Sequence, residues 1–481
     1  MPGKVITWPA PAGETASPDY TLEVNGVPVF VYQARVRAEI LQNEGLWTHA
    51  TNCTGERASF CMFDIPGTAA VTVRPARAFK TARVLPTRAG VASTVDKGAI
   101  RFTLAEPRHL TVVLDDTDAQ PLHLFISAPE QDVPRTNDPN VVYFGPGVHE
   151  ITTLNVKSGQ TVYLAGGAIV KAGLRSKEQP TYSEKWKVNF YNGVVLNVEK
   201  ADGVRICGRG ILDGSLVPHP GRNLIGVTAS RNVRIEGITL RDSPNWNVRM
   251  SRSQDVRVEN LRIISGRLNS DGINSVNSRN VTVRRCFVRN HDDSIVAKAT
   301  EPGQPCEDIT VEDCQVWDDW GYGLGVSYEV RSPIRRVRFE RCDVLFARHW
   351  CMGVYVSDSG TVSDVTFHDI GISGLTGGRG GAYDGLTHER KLMRMAIVGD
   401  VWANDTTRGQ IRSIVIDGVT VDGTRLPPSE LYGCDAEHTV DGVLFRNVAL
   451  RGQAPVTNAV ALGLTCNDFV HNVRVEAGDA Q

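Results

Sequence analysis

The chain has 481 residues, of which 41% are hydrophobic and 22% charged, values that fit a globular protein with a sizeable core and exclude disorder and a collagen-like fold. Its 52 basic and 54 acidic side chains leave a formal net charge of −2, so no strong field draws nucleic acid or anionic lipid. No run of 18 uninterrupted apolar residues is present, which argues against a membrane-spanning helix and a membrane partner.

Length alone suggests about three domains. The opening residues, Met1 to Glu14, lack an apolar h-region and a cleavage pattern, so no secretory signal is expected in this chain. That reading leaves two compartments: cytoplasmic, or secreted if this is a mature form. Residues 1–140 then read as short alternating strands, such as Thr21 to Arg35, Ala70 to Val73 and Ile100 to Leu114, punctuated by Pro75, Pro86 and Pro107. No long stretch has helical period, so an antiparallel β-sandwich is expected. It is either a packing domain that caps the rest of the chain or a carbohydrate-binding module.

From about 140 the texture becomes a repeat, of the form x-Asn/Asp-Val-x-Val/Ile followed by a second apolar pair. Its first apolar anchors are Val204, Val233, Val256, Val281, Ile309, Val337, Val365, Ile414 and Val443, spaced by 29, 23, 25, 28, 28, 28, 49 and 29 residues. A strand-rich unit of this length without helix is one coil of a parallel β-helix. The expected fold is therefore all-β: a right-handed parallel β-helix of about ten coils over 141–481, preceded by the sandwich. The long interval holds a glycine-rich stretch, 374–410, expected as an inserted loop near the binding face, with Tyr383, His388, Arg390, Lys391 and Trp402 on it.

Ten cysteines are too few for a disulfide scaffold and lack paired CxxC spacing. Cys286, Cys314 and Cys342 recur every 28 residues, so they should form a ladder on successive coils, as small buried fillers rather than a metal or redox site. No metal and no cofactor is expected.

The residues fit for chemistry are Asp271, in Asn269-Ser270-Asp271-Gly272, and Asp292 and Asp293, in His291-Asp292-Asp293. Asp271 and Asp292 are 21 residues apart, close to one coil, so all three should meet on neighbouring coils. Crowded carboxylates cannot all ionise easily, which leaves a proton donor beside ionised acceptors. Glycosidic cleavage needs that pair.

These motifs resemble the polygalacturonase-type family of glycoside hydrolases, in the clan it shares with dextranase and isopullulanase. Asn269-Ser270-Asp271-Gly272 matches the family's Asn-Thr-Asp-Gly, and His291-Asp292-Asp293 its Gly-Asp-Asp. Ser243-Pro244-Asn245-Trp246-Asn247 is similar to its Ser-Pro-x-x-His, with Asn247 in place of the His. The resemblance implies that Asp292 is the general acid, that Asp271 and Asp293 hold and activate water, and that the anomeric carbon inverts. A spacing of about 5 Å between side chains on adjacent coils argues for retention on the simple rule, unless side-chain direction widens the gap.

The departures bear on substrate. Gly321-Tyr322-Gly323 stands for the family's Gly-His-Gly, and Val354-Tyr355-Val356 stands roughly where Arg-x-Lys grips a uronate carboxylate. Losing both cations argues for a neutral α-linked glycan, dextran-like, with polygalacturonate as the alternative should Lys298, Arg348 or the insertion supply a cation. Trp246, Trp320, Tyr322, Trp350 and Tyr355 are candidate sugar platforms, with Trp317 placed equally well in a core. Asn247, Asn269, His291, Lys298 and His349 complete the expected binding set, and Asp318 and Asp319 are reserve acids.

The expected function is thus an inverting glycoside hydrolase acting on a poly- or oligosaccharide. A polysaccharide lyase and a non-catalytic glycan-binding β-helix are the alternatives. Oligomeric state is not legible.

Overall fold

The computed structural model describes residues 4–36, 56–375 and 390–478. Cys53, and Tyr383 and His388 of the insertion, lie outside the described residues.

Two five-stranded sheets form the N-terminal sandwich. One contains Tyr20–Val24, Val27–Val29, Ala69–Pro75, Ser93–Asp96 and Ala99–Leu104; the other contains Val31–Arg35, Arg57–Asp64, Ala82–Leu85, Leu110–Leu114 and Leu122–Ser127. The first sheet alternates inward and outward residues, with Leu22, Val71 and Phe102 facing Leu110, Val112 and Leu124 of the second. The pairing is antiparallel except for Leu122–Ser127, which runs parallel to Arg57–Asp64. Those two strands are buried on both faces, because the outer face of the second sheet packs on the β-helix. Phe60 and Phe125 meet Phe287, Trp317 and Phe346 there.

The rest is a parallel β-helix. One sheet gathers twenty strands from Val141–Phe144 to Val470–Glu476, and a second gathers eleven from Leu154–Val156 to Leu464–Cys466. The anchors from Val233 to Val443 pair in one unbroken register across successive coils, and each is at most 2% exposed. The residue before each anchor is left-handed: Asn232, Asp255, Asn280, Asp308, Arg336, Asp364 and Ser413 have φ between 51° and 58°, and Gly203 and Gly442 have φ 71° and 72°. This is why the phrase favours Asn, Asp or Gly ahead of Val, since those residues tolerate this conformation best. A second left-handed corner follows four residues after the anchor, as at Asn260, Arg285, Asp313 and Arg341.

Cys286, Cys314 and Cys342 each follow such a corner and are fully buried. Their thiols donate weakly to the carbonyls of Val258, Val283 and Val311 one coil below, at 3.6–3.7 Å. Burial pushes the Cys314 thiol well up, so the ladder is a packing feature.

The 374–410 stretch is not all loop. Lys391–Ile397 is a regular strand of the eleven-stranded sheet, between Trp350–Val356 and Ser429–Tyr432. The coil is complete there, and the extra length lies on either side of that strand. Among the described residues no helix is long and apolar enough to cross a membrane; the α-helix Ala459–Leu462 has four residues.

Candidate active site

The acids sit at the leading edge of the eleven-stranded sheet. Ile273 pairs with Ile295, an offset of 22, so Asp271 lies under Asp293 rather than under Asp292. The Gly272 N–H donates to the Asp293 carbonyl at 2.8 Å. Coils come so close here that a Cβ on Gly272 would lie 2.2 Å from the Ser294 carbonyl oxygen, and one on Gly321 would lie 2.6 Å from the Asp293 nitrogen. Both glycines are therefore needed for the acids to meet.

Oxygen atoms of Asp271, Asp292 and Asp293 lie within 4.8 Å of one another, the one such grouping able to hold a metal among the described residues. The Lys298 ammonium already supplies positive charge at this point: Nζ is 3.2 Å from Asp293, 2.9 Å from Glu329 and 3.9 Å from Asp271. Asp293 also accepts hydrogen bonds from the Ser327 hydroxyl and, at 3.3 Å, from the Tyr322 N–H. Asp271 Oδ1 has no hydrogen-bond partner among the described residues.

Burial, then the neighbouring Asp293 charge, pushes the Asp292 carboxyl up to about 7. Burial, then Asp292, also raises Asp271. Desolvation alone would lower Lys298, but Glu329, Asp293 and Asp271 outweigh it and raise the ammonium well above its usual range. One cation among four carboxylates leaves the group short of positive charge, so protons are shared across it as a coupled set. Asp292, the least buried of the three aspartates, is the acid placed to meet a ligand.

Asn247 takes a different place from the one expected. It is fully buried, and its amide donates to the carbonyls of Ser270 and Asp271 at 3.0 Å while its oxygen accepts from Ser265 Oγ at 2.9 Å. It holds the Asp271 turn from behind and does not line the cleft.

The cleft above the acids has a volume of ≈ 500 Å³ and is lined by Trp246, Asn269, Lys298, Trp320, His349 and Trp350 from the expected set. Asn269 continues a ladder: its amide donates to Asn245 at 2.6 Å, and that of Asn245 to Asn223 at 3.0 Å. His291 is buried and stacks behind Trp320, with centroids 5.8 Å apart, while His349 meets the same indole edge-on.

Tyr322 and Tyr355 are not platforms. Tyr322 is fully buried because its ring occupies the space over Gly353, where a Cβ would lie 2.1 Å from the ring carbons, and Trp350 stacks over it at 4.7 Å. Tyr355 is 8% exposed and packs on Tyr328. Trp317 belongs to the core between sandwich and β-helix. The reserve acids are structural: Asp319 pairs with Arg289, both fully buried, and Asp318 accepts from the Trp320 N–H and Ser294 Oγ. Arg348 does not line the cleft; Arg390 donates to the Ala347 carbonyl and Lys391 pairs with Glu430.

Sequence reasoning misses Arg249, Tyr328 and Glu329, and also Trp186 and Asn404, all of which line the cleft. Arg249 carries a signal: between inward Val248 and Met250 it must face outward on its strand, beside the motif residue Trp246, whose ring its guanidinium covers at 5.5 Å.

Residues 147–380 match the family profile of glycosyl hydrolases family 28. In fold, the chain is similar to Dex49A from Penicillium minioluteum, with a TM-score of 0.64 and 15% identity over 98% of this chain and 96% of that one. In sequence, it is 26% identical over 168 residues to a "Probable polygalacturonase" of Vitis vinifera, covering 33% of this chain and 30% of the relative. It is 24% identical over 230 residues to an "Endo-polygalacturonase" of Pectobacterium parmentieri, covering 47% and 48%. The chain thus spans half or less of the length of the curated relatives it matches. The stretch that matches glycosyl hydrolases family 28 is the part of the solenoid that carries Asp271, Asp292 and Asp293.

Proposed function

We propose that this chain is a glycoside hydrolase in which Asp292 protonates the leaving glycosidic oxygen while Asp271 and Asp293 hold and deprotonate the attacking water. The carbon–oxygen bond breaks toward the protonated oxygen, water adds to the anomeric carbon, and its proton passes to the carboxylate pair. The observation that supports this most directly is the asymmetry of the trio: Asp293 is paired with an ammonium, whereas Asp292 accepts only the neighbouring Asp293 N–H among its hydrogen bonds to described residues and is raised to about 7. A raised acid beside an anchored carboxylate is the division of labour that glycosidic cleavage requires.

Inversion is supported by the likeness to glycosyl hydrolases family 28. The carboxyl separation argues the other way, since oxygens within 4.8 Å of one another fall short of the roughly 6.5–9.5 Å common to inverting pairs. Proton NMR of the first-formed anomer decides: release of the substrate's own anomer would reject inversion.

For substrate, a neutral α-linked glycan, dextran-like, is the reading supported by the burial of Val354, Tyr355 and Val356 and by the engagement of Lys298 with carboxylates. A uronate-bearing glycan is favoured by one observation, Arg249, which lines the cleft without a carboxylate partner in salt-bridge range among the described residues. Hydrolysis of dextran-type and polygalacturonate oligosaccharides at equal concentration separates them; faster cleavage of the uronate rejects the neutral-glycan reading, and loss of that preference in Arg249→Ala would assign Arg249 to the carboxylate.

A further inference from the structure

Trp186 and Trp402 pack together with ring centroids 4.6 Å apart and their planes tilted by 38°, although their parent coils are far apart. Trp186 is at the tip of a hairpin, Thr181–Ser183 with Val188–Phe190, which enters the leading edge of the strand Val194–Glu199. Trp402 follows the trailing edge of Lys391–Ile397. Seven strand-to-strand steps separate these two strands in the eleven-stranded sheet, a distance of ~34 Å at about 4.8 Å per step. The strands between them carry Arg249, Lys298 and Glu329, and Asp271 and Asp293 lie just ahead of two of them. The two tips therefore meet only by crossing above the floor of the cleft, from opposite edges and opposite ends.

Both tips are built rather than slack. The hairpin tip is closed by the Lys187 N–H on the Ser183 carbonyl at 2.8 Å and the Trp186 N–H on Ser183 Oγ at 3.3 Å. The second tip is held by Asp400, which accepts from the Trp402 N–H at 2.8 Å, and by Asp358, which accepts from the Asp405 N–H at 2.8 Å. Trp402 also faces Tyr328, the neighbour of Glu329, which sets the bridge beside the acid–lysine cluster.

We infer that the Trp186–Trp402 bridge makes this site accept a glycan by its chain end and not by an internal segment. An internal segment would need both flanking lengths to leave the floor, and a closed bridge stops the chain from being laid in from above. A free end slides under it. This deepens the hydrolase reading and rests on it.

The test measures reducing ends and viscosity together on dextran, pullulan, polygalacturonate, rhamnogalacturonan and arabinan, for the parent, the double variant Trp186→Ala/Trp402→Ala, and Trp402→Phe. The expected result is short products from the outset with viscosity nearly unchanged for the parent and for Trp402→Phe. The double variant should lower viscosity early, because its floor is open. Early viscosity loss by the parent, or a double variant with the parent's profile, overturns the chain-end inference and leaves the hydrolase reading in place. Failure of the parent to cleave any of these polymers or their oligosaccharides defeats the hydrolase reading, and the inference falls with it.

Discussion

Lys298 Nζ lies 3.2 Å from Asp293 Oδ2, with both side chains at most 4% exposed. This contact sets the electrostatics of the site, since the same ammonium faces Asp271 and Glu329. The active form of Asp292 is the protonated one, so turnover should fall as pH rises through about 7, where its carboxyl loses its proton. Lys298 lowers that pKa and Glu329 raises it. Lys298→Met should therefore move the alkaline limb of kcat/KM to higher pH, and Glu329→Gln should move it lower. pH–rate profiles of the three proteins check this order; coincident limbs would remove Asp292 from the acid role.

Removing the acid altogether should be more severe. Asp292→Asn is expected to lower kcat about 10²- to 10⁴-fold, the usual contribution of a positioned acid or base, with the urea midpoint nearly unchanged. Asp271→Asn and Asp293→Asn should do comparable damage. Retention of more than about a tenth of the parent rate in Asp292→Asn, given that range, would reject the assignment.

Asn247 acts through Asp271, as a positioning residue. Asn247→Ala removes two donors to the Ser270 and Asp271 carbonyls, so kcat should drop with little change in KM. Asn247→Gln should not restore it, because the longer side chain has no room in a fully buried site. A rise in KM alone would assign Asn247 to substrate binding instead.

Stability provides an independent check on the junction between sandwich and β-helix. Arg289 and Asp319 are both fully buried with N and O 2.9 Å apart, and Arg289 also contacts His123 of the sandwich at 3.1 Å. Asp319→Asn removes a buried carboxylate charge beside the Arg289 guanidinium, at an expected cost of about 3–5 kcal/mol. Urea unfolding with an unchanged slope measures it; a loss below about 0.5 kcal/mol, the range of ordinary surface changes, would show that the charge has another partner.

The cysteine ladder should prove chemically silent. Cys314→Ala is expected to cost about 1–2 kcal/mol, as a small buried deletion, with turnover and bound-metal content unchanged. Loss of a stoichiometric metal on substitution would overturn the packing assignment.

The sequence by itself determined the features that depend on short-range rules. Asn, Asp or Gly ahead of each Val or Ile anchor encodes a left-handed corner, and the inward anchor after it sets one coil on the next. Asp271 and the Asp292–Asp293 pair lie nearly one coil apart, so their meeting was legible from spacing. Even there, the local spacing of 21 misled by one residue: backbone pairing sets the offset at 22 and puts Asp293 over Asp271.

Tertiary structure alone decided the features that depend on which face a side chain finds. Tyr322, flanked by glycines, reads as an exposed platform, yet Gly353 on the next coil makes room for its ring and Trp350 covers it. Asn247 stands in a motif position but turns inward, where two carbonyls need donors. Lys391–Ile397 looks like part of a glycine-rich insertion until its neighbours on both sides supply the ladder that makes it a strand. The Trp186–Trp402 contact joins positions 216 residues apart, and no local pattern encodes it. It exists because the solenoid brings two distant loops over the same floor.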